Sequence, residues 1–487
     1  MLSPRNDLTF ARLASGLILI CVLVVTEGVS CTIARARSPK PNVLFIAVDD
    51  LKPVLGCYGD PTAITPSIDE IAKQGTVFVN AHCQWPVCGG SRASLMTGLR
   101  PEAVGVMDLK TNMRAKDPNV LTLAQHFKNH GYSSAGTGKI YDPRCVDNKR
   151  SLDTLSWSVP FVSPSHSSIQ YGDVKQVVLA PEIADGELTD GQIAANGIEL
   201  MRQLSRSEKP FFLAVGFKKP HLPFVAPKKY WDLYDRDQFQ FASHRGGIKN
   251  DSSYTLHDNP ELRGYEGVPK AGPISTELQQ ELIHGYYACV SFIDAQVGRL
   301  LDELRRLGLF ENTTIILWGD HGFHLGDHSL WGKHTTLEHA TRVPLIVRPR
   351  HGSVTKRSNA PVELDDMFPT LCELAGLPVP DSINGRSLLP IIRGSDESVR
   401  DGAMTVFKSK GALGYSYRTQ RYRYTLWLNR AGKNVASELY DYQIDPQETQ
   451  NLAEDPRYDE IISKLGQHMK ADAQGCERLM SSNSNQK

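Results

Sequence analysis

Asn42-Val-Leu-Phe-Ile-Ala-Val-Asp-Asp50 decides the fold. Residues 42–48 read as a continuous apolar run, so the strand they form is buried on both faces, as in a parallel sheet. Asp49 and Asp50 then fall at its carboxyl end, where ligands bind in an open α/β sheet. Two adjacent carboxylates repel, so the pair needs a cation or solvent. A solvated turn before Leu51-Lys52-Pro53 is the other reading. The same design recurs along the chain. Tyr132–Lys139 is a small-residue strand ending in Gly-Thr-Gly-Lys. Phe211–Phe217 leads into Lys218-Lys219-Pro220-His221, and Thr313–Trp318 leads into Gly319-Asp320-His321-Gly322. Val343–Val347 is a further strand. A parallel sheet brings such ends to one edge, so Asp49, Asp50, Lys139, His221, Asp320 and His321 are expected to converge there.

Cys88-Gly-Gly-Ser-Arg92 follows an extended run, Thr76–Asn80, and opens a helix through Thr97 that Gly98 and Pro101 stop. A helix N-terminus offers free N–H groups and a partial positive charge to an anion. The Arg92 guanidinium matches a sulfate or phosphate face. The turn therefore reads as a nucleophile beside an oxyanion, or as a buried cysteine in a tight turn.

The 487 residues suffice for two or more domains or subdomains. Lys+Arg and Asp+Glu both number 54, which argues against a nucleic-acid binder and leaves any anion site to a local cluster. Nine cysteines are scattered without a CxxC pair, which excludes a zinc pattern and a disulfide scaffold but leaves room for one bridge. Arg5 and Arg12 precede the apolar run Leu17–Val25, and Gly28 and Ser30 follow it. That pattern fits a signal peptide over 1–31, hence a secreted or periplasmic protein with no stable membrane span in the mature chain. An N-terminal membrane anchor and lipidation at Cys31 are the lesser alternatives.

Thr65-Pro66 reads as an N-cap with proline at the first position of a helix that runs through Gln74. Residues 121–130 form another short helix, and residues 364–377 a helix with a proline inside. Leu282, Tyr286, Cys289, Ile293, Val297, Leu300 and Leu304 recur at helical spacing and are core contacts. Residues 143–209 resist placement. Residues 228–275, rich in Gly, Pro, Asp and Tyr, read as a long surface excursion and a wall of the cleft. Beyond about 392 the pattern changes: Ala403–Phe407, Tyr415–Thr419 and Tyr422–Leu428 are antiparallel strands. A polar helix over about 456–472 closes the fold, and 476–487 is a disordered tail. The expected units are a catalytic domain over 40–392 and an α+β subdomain over 393–475.

Taken together, Asn42–Asp50, Cys88–Arg92 with Ala-Ser-Leu-Met-Thr-Gly98, Gly138-Lys139, Lys219-Pro220-His221, Gly319–Gly322 and Trp331-Gly332-Lys333 resemble the type I sulfatases of the alkaline-phosphatase-like superfamily. The similarity is strongest to iduronate-2-sulfatase-like members. Glu438–Asp441, Asp445-Pro446, Glu448, Asn451 and Leu452 resemble that family's C-terminal signature. The resemblance implies an α/β fold with a large, mostly parallel sheet flanked by helices and a smaller C-terminal antiparallel subdomain. It implies a sulfuric ester hydrolase acting on a sulfated carbohydrate, and a maturation enzyme that converts Cys88 to formylglycine. One hydroxyl of the hydrated aldehyde attacks sulfur, and the other lets sulfate leave, which a serine could not do. It assigns Asp49, Asp50, Asp320 and His321, with the modified Cys88, to one Ca²⁺ that polarises a sulfate oxygen. Arg92, Lys139 and Lys333 would neutralise the hydrate and sulfate oxygens, and His221 would protonate the leaving oxygen.

Two positions depart from the family pattern. Position 90 is glycine where the pattern Cys-x-Pro-Ser-Arg has proline. Tyr141 and Asp142 stand where relatives carry a histidine thought to deprotonate the hydrate, so Asp142 is a candidate base. The alternatives are a phosphomonoester or phosphonate hydrolase on the same fold, and a sulfoglycan-binding protein with weakened catalysis.

Overall fold

Residues 40–147, 152–164 and 167–481 are described in the computed structural model. The expected signal peptide, Cys31 and the last residues of the tail lie outside them. The central sheet uses β1 (Asn42–Val48), β2 (Thr76–Phe78), β3 (Ser133–Gly138), β4 (Phe211–Phe217), β5 (Thr313–Gly319), β6 (Leu345–Arg348) and β7 (Arg357–Ser358), in the order β7-β2-β6-β5-β1-β4-β3. Of these, β6 alone runs antiparallel to its neighbours. Every residue of β1, β4 and β5 is buried.

The unbroken apolar run of β1 has a direct cause. Leu44, Ile46 and Val48 enter one core, while Val43, Phe45 and Ala47 enter the other. Neither face of the strand meets water, so neither can be polar. Each such side chain contributes roughly 1.5–3 kcal/mol on burial. The first core is roofed by α3 (Thr189–Leu204) and the long α4 (Thr276–Arg306), whose heptad-like apolar positions are all buried. The second packs against α2 (Cys88–Thr97) through Ala93, Leu95 and Met96.

Several local expectations are corrected. Thr65 does not cap α1 (Pro66–Gln74) with its side chain. Its hydroxyl accepts from the Gly56 amide at 2.9 Å, and Asp294 on α4 takes over, accepting from the Ser67 and Ile68 amides at 3.2 and 2.8 Å. The stretch 343–347 is split at Pro344: Val343 pairs with Ala81 in a small separate sheet, and β6 begins at Leu345. The expected strand 76–80 ends at Phe78, and the unplaced stretch 143–209 contains α3.

The C-terminal sheet is a four-stranded antiparallel meander of β8 (Ala403–Ser409), β9 (Ala412–Arg418), β10 (Tyr422–Leu428) and β11 (Asn434–Asp441). The fourth strand was not expected; its first half is poor in β-formers and half-exposed, and pairing with β10 supplies the order. The helix α5 (Asp459–Ala471) covers the sheet with Leu465 and Met469. Glu477–Ser481 is helical and Cys476 and Leu479 are buried, so the tail expected from 476 is ordered that far. Residues from Lys40 on form one compact unit, so the meander is a second sheet within it rather than a separate body. Trp85 and Val87, just before Cys88, belong to the meander's core. The seven described cysteines are all free, so they hold no disulfide. Among the described residues no helix is long and apolar enough to cross a membrane.

Candidate active site

The strand ends do converge. Asp49 and Asp50 leave β1, Lys139 leaves β3, Lys219 and His221 leave β4, and Asp320 and His321 leave β5. Glycine makes one of these junctions possible. Gly138 has φ +78°, and a Cβ there would lie 2.1 Å from the Gly216 carbonyl oxygen. A Cβ on Gly216 would in turn lie 2.2 Å from the Lys139 carbonyl oxygen. Only bare backbone allows β3 and β4 to close at the point that aims Lys139.

Cys88 opens α2 at this edge, and its Sγ lies 3.5 Å from His321 Nε2. Burial pushes the thiol well above its ordinary value, with Lys139 only partly opposing. The unmodified group is therefore a neutral thiol and a poor nucleophile. His321 Nε2 also approaches Asp50 Oδ1 at 3.3 Å, and His321 Nδ1 donates to the Gly322 carbonyl at 3.0 Å. Asp50 sits at φ +58°, an unusual conformation for aspartate, and its carbonyl accepts from the Tyr286 hydroxyl at 2.6 Å.

Arg92 is fully buried, and each of its three nitrogens donates a hydrogen bond. Its Nε donates to Asp320 Oδ2 at 2.8 Å, one terminal nitrogen donates to Asp49 Oδ1 at 3.0 Å, and the other to the Lys139 carbonyl. Arg92 thus fixes the two aspartates relative to each other. Lys139 Nζ lies 2.5 Å from Asp49 Oδ2, and Lys333 Nζ lies 2.7 Å from Asp50 Oδ2. Burial alone would raise the Asp49 carboxyl, but Lys139 and Arg92 hold it well below the usual carboxylate range. Burial does raise the Asp320 carboxyl above its ordinary value, even with Arg92 beside it.

His221 is a quarter exposed, and its Nδ1 donates to the Leu222 carbonyl at 2.6 Å. That bond leaves Nε2 facing the site. Burial lowers the imidazole below its ordinary value, with Asp50 opposing. The preceding lysine does not face the site. Lys219 Nζ donates to the Pro223 carbonyl at 2.6 Å and to the His221 carbonyl, and lies 4.0 Å from the centre of the Tyr171 ring. It braces the turn that carries His221.

Asp142 is turned elsewhere. Both of its oxygens accept from Arg144, at 2.9 and 2.7 Å, and burial of the carboxyl is outweighed by that pairing, so it stays ionised. One residue at the site was not foreseen. Glu261, from the excursion at 228–275, places Oε1 3.3 Å from His221 Nε2 and Oε2 3.1 Å from Lys333 Nζ. It stands in a stretch with no periodicity and no adjoining strand, so nothing local marked it.

The side chains fit a hard divalent cation. Ligand atoms of Asp49, Cys88, Asp320 and His321 all lie within 4.8 Å of one another, as do those of Asp49, Asp50, Cys88 and His221. Three buried carboxylates with an imidazole suit Ca²⁺ or Mg²⁺. Burial is what raises the Asp320 carboxyl, and a cation bound here would offset that cost.

Comparison with known proteins accords with this geometry. The family model described as Sulfatase matches residues 41–377, and one described as N-sulphoglucosamine sulphohydrolase, C-terminal, matches residues 326–474. The chain is 32% identical to Homo sapiens iduronate 2-sulfatase, over 95% of this chain and 99% of that protein. It is also 32% identical to a sulfatase of Formosa agariphila, over 88% of this chain and 85% of that protein. Among solved structures, one in complex with its substrate D-glucosamine-2-N,6-O-disulfate superposes with a TM-score of 0.73 at 20% identity, covering 92% of this chain and 100% of that one. The phosphonate monoester hydrolase of Agrobacterium radiobacter superposes with a TM-score of 0.72 at 22% identity, covering 90% and 96%. At such identities these structures share the fold. The extent of the sequence matches, with aspartates, lysines and a buried cysteine gathered at one sheet edge, places this chain in the sulfatase family.

Proposed function

We propose that this protein removes sulfate from a sulfated carbohydrate, as an iduronate-2-sulfatase-like sulfuric ester hydrolase exported by its N-terminal segment. The observation that carries the proposal is Cys88 at the start of α2, 3.5 Å from His321 and within one cluster with Asp49 and Asp320. When oxidised to formylglycine by a maturation enzyme, residue 88 would supply a hydroxyl nucleophile that the buried thiol is not. A Ca²⁺ held by Asp49, Asp50, Asp320 and His321 would polarise a sulfate oxygen.

The protein's own groups complete the chemistry. Lys139 and Lys333 stay charged: burial opposes it, but Asp49 and Asp50 respectively hold each ammonium above its ordinary value. They neutralise the anion as it binds. Arg92 keeps Asp49 and Asp320 in register. His221, its Nδ1 fixed on Leu222, would protonate the leaving oxygen from Nε2 as the imidazolium, the form that Asp50 beside it favours against burial.

The test is sulfate release from a 2-O-sulfated uronate by wild type and by Cys88→Ala, with parallel rates on 4-nitrophenyl sulfate and 4-nitrophenyl phosphate. Wild type is expected to release sulfate, to prefer the sulfate ester and to lose turnover on chelation, and Cys88→Ala to be inert. Turnover by Cys88→Ala would refute the nucleophile, and preference for phosphate would refute the substrate class. The mass of the peptide containing residue 88 reports its oxidation.

A further inference from the structure

Glu261 has no part in the chemistry outlined so far, yet it touches two of the groups that perform it. It lies outside the clusters of ligand atoms that fit a cation. Its oxygens instead meet His221 Nε2 at 3.3 Å and Lys333 Nζ at 3.1 Å. Burial would raise this carboxyl, but Lys333 and His221 hold it ionised. Its side chain keeps 27% of its surface exposed, so it is open to a ligand.

The stretch around Glu261 is built rather than loose. His257 Nε2 donates to the Lys333 carbonyl at 2.5 Å, and its Nδ1 accepts from the Asn259 amide at 3.0 Å. Asn259 Oδ1 accepts from the Trp331 amide at 2.8 Å, and its Nδ2 donates to the Ser329 carbonyl at 3.1 Å. Leu262 is fully buried directly after it. Glu261 is therefore held on the segment that carries Lys333 and cannot swing away without breaking three hydrogen bonds.

We infer that Glu261 is a specificity-determining residue that accepts a hydrogen bond from a free hydroxyl next to the sulfate ester and rejects a second anion there. The inference rests on the proposed role of His221 at the leaving oxygen. In a sugar, the oxygens on adjacent ring carbons lie close together, so a group that touches Nε2 also faces the neighbouring carbon's substituent. A hydroxyl gives the carboxylate a charge-assisted hydrogen bond, whereas a sulfate there meets a fixed like charge. The substrate class is then a carbohydrate with an isolated sulfate flanked by a free hydroxyl.

Binding can be measured without turnover, by calorimetry on Cys88→Ala protein with Ca²⁺ present. The probes are a uronate monosaccharide 2-O-sulfate with a free 3-hydroxyl and its 2,3-disulfated counterpart. The monosulfate is expected to bind at least about tenfold more tightly, because the charged acceptor gains one partner and avoids one repulsion. Glu261→Gln in the same background is expected to erase that ratio, and Glu261→Asp to keep part of it. A disulfate that binds as tightly to the parent protein refutes the inference whether or not the variants fold, and so does an unchanged ratio in a folded Glu261→Gln protein. Sulfate release without the binding preference defeats Glu261 alone, and the preference without sulfate release defeats the enzymatic reading alone.

Discussion

Gly90 allows a quantitative test of how the nucleophile's turn is held. A Cβ at this position would lie 2.6 Å from Trp85 Cγ, 2.8 Å from Trp85 Cδ1 and 2.8 Å from the Val106 carbonyl oxygen. The indole cannot retreat, because it is 2% exposed and its far side packs on Phe407 of β8 at a centroid distance of 5.5 Å. Gly90→Pro restores the residue of the wider pattern at Cys-x-Pro-Ser-Arg. The amide of residue 90 lies in the first turn of α2, where proline sacrifices no helical hydrogen bond. The cost is then steric, about 3 kcal/mol for this degree of overpacking. Trp85→Leu costs about 2–4 kcal/mol through the void it leaves. Combined, each relieves the other, and the double variant should be more stable than the sum of the two by about 2 kcal/mol. In a domain of this size about 1 kcal/mol moves the melting temperature by about 1 °C. Calorimetric melting of the four proteins of the cycle reads the coupling. Strictly additive shifts would refute the idea that glycine stands at 90 to make room for Trp85.

Two further outcomes follow from buried charge. Burial pushes the Asp294 carboxyl up to about 6, against about 3.9 in an unfolded chain. The folded protein therefore holds this proton more tightly, and stability falls as pH rises from about 4 to about 6, by about 3 kcal/mol in all. Asp294→Asn, which keeps an oxygen for the Ile68 amide, should remove that slope from melting temperatures measured across pH 4–7; parallel curves would contradict it. Arg423 is fully buried, with Glu338 at 2.5 Å and Glu448 at 2.9 Å. Arg423→Met removes the cation beside Glu448 and leaves Glu338 with Arg418 alone at 3.0 Å, which should cost about 3–5 kcal/mol, seen as a melting temperature about 3–5 °C lower; an unchanged melting temperature would show the network to be idle.

The legible parts of this chain were those with local physical signatures. Residues 42–48, 211–217 and 313–318 announced a doubly covered sheet because burial on both faces forbids polar residues, and the edge chemistry followed from their last positions. What stayed hidden depended on partners far away in sequence. The cap of α1 comes from Asp294, some 227 residues distant, while the adjacent Thr65 only looked the part. Glu261 joins the site because its loop is tied to Lys333, and no periodicity records that tie. Arg92 was expected to face the anion; in the structure its three nitrogens also bind Asp49, Asp320 and a carbonyl, which the sequence did not foretell. A guanidinium's partners are chosen by the tertiary fold, which residue type does not encode.

All ten residues of α2 are buried, Cys88 at 1% exposure, and the turn before them is sewn to the last sheet of the chain. Thr405 Oγ1 donates to the Cys83 carbonyl at 2.6 Å, and the Val406 amide donates to the Gln84 carbonyl at 2.8 Å. No protein-sized reagent can therefore grip this segment in the finished molecule. An enzyme that oxidised the sulfur, as proposed, would have to reach it before the meander some three hundred residues downstream has docked.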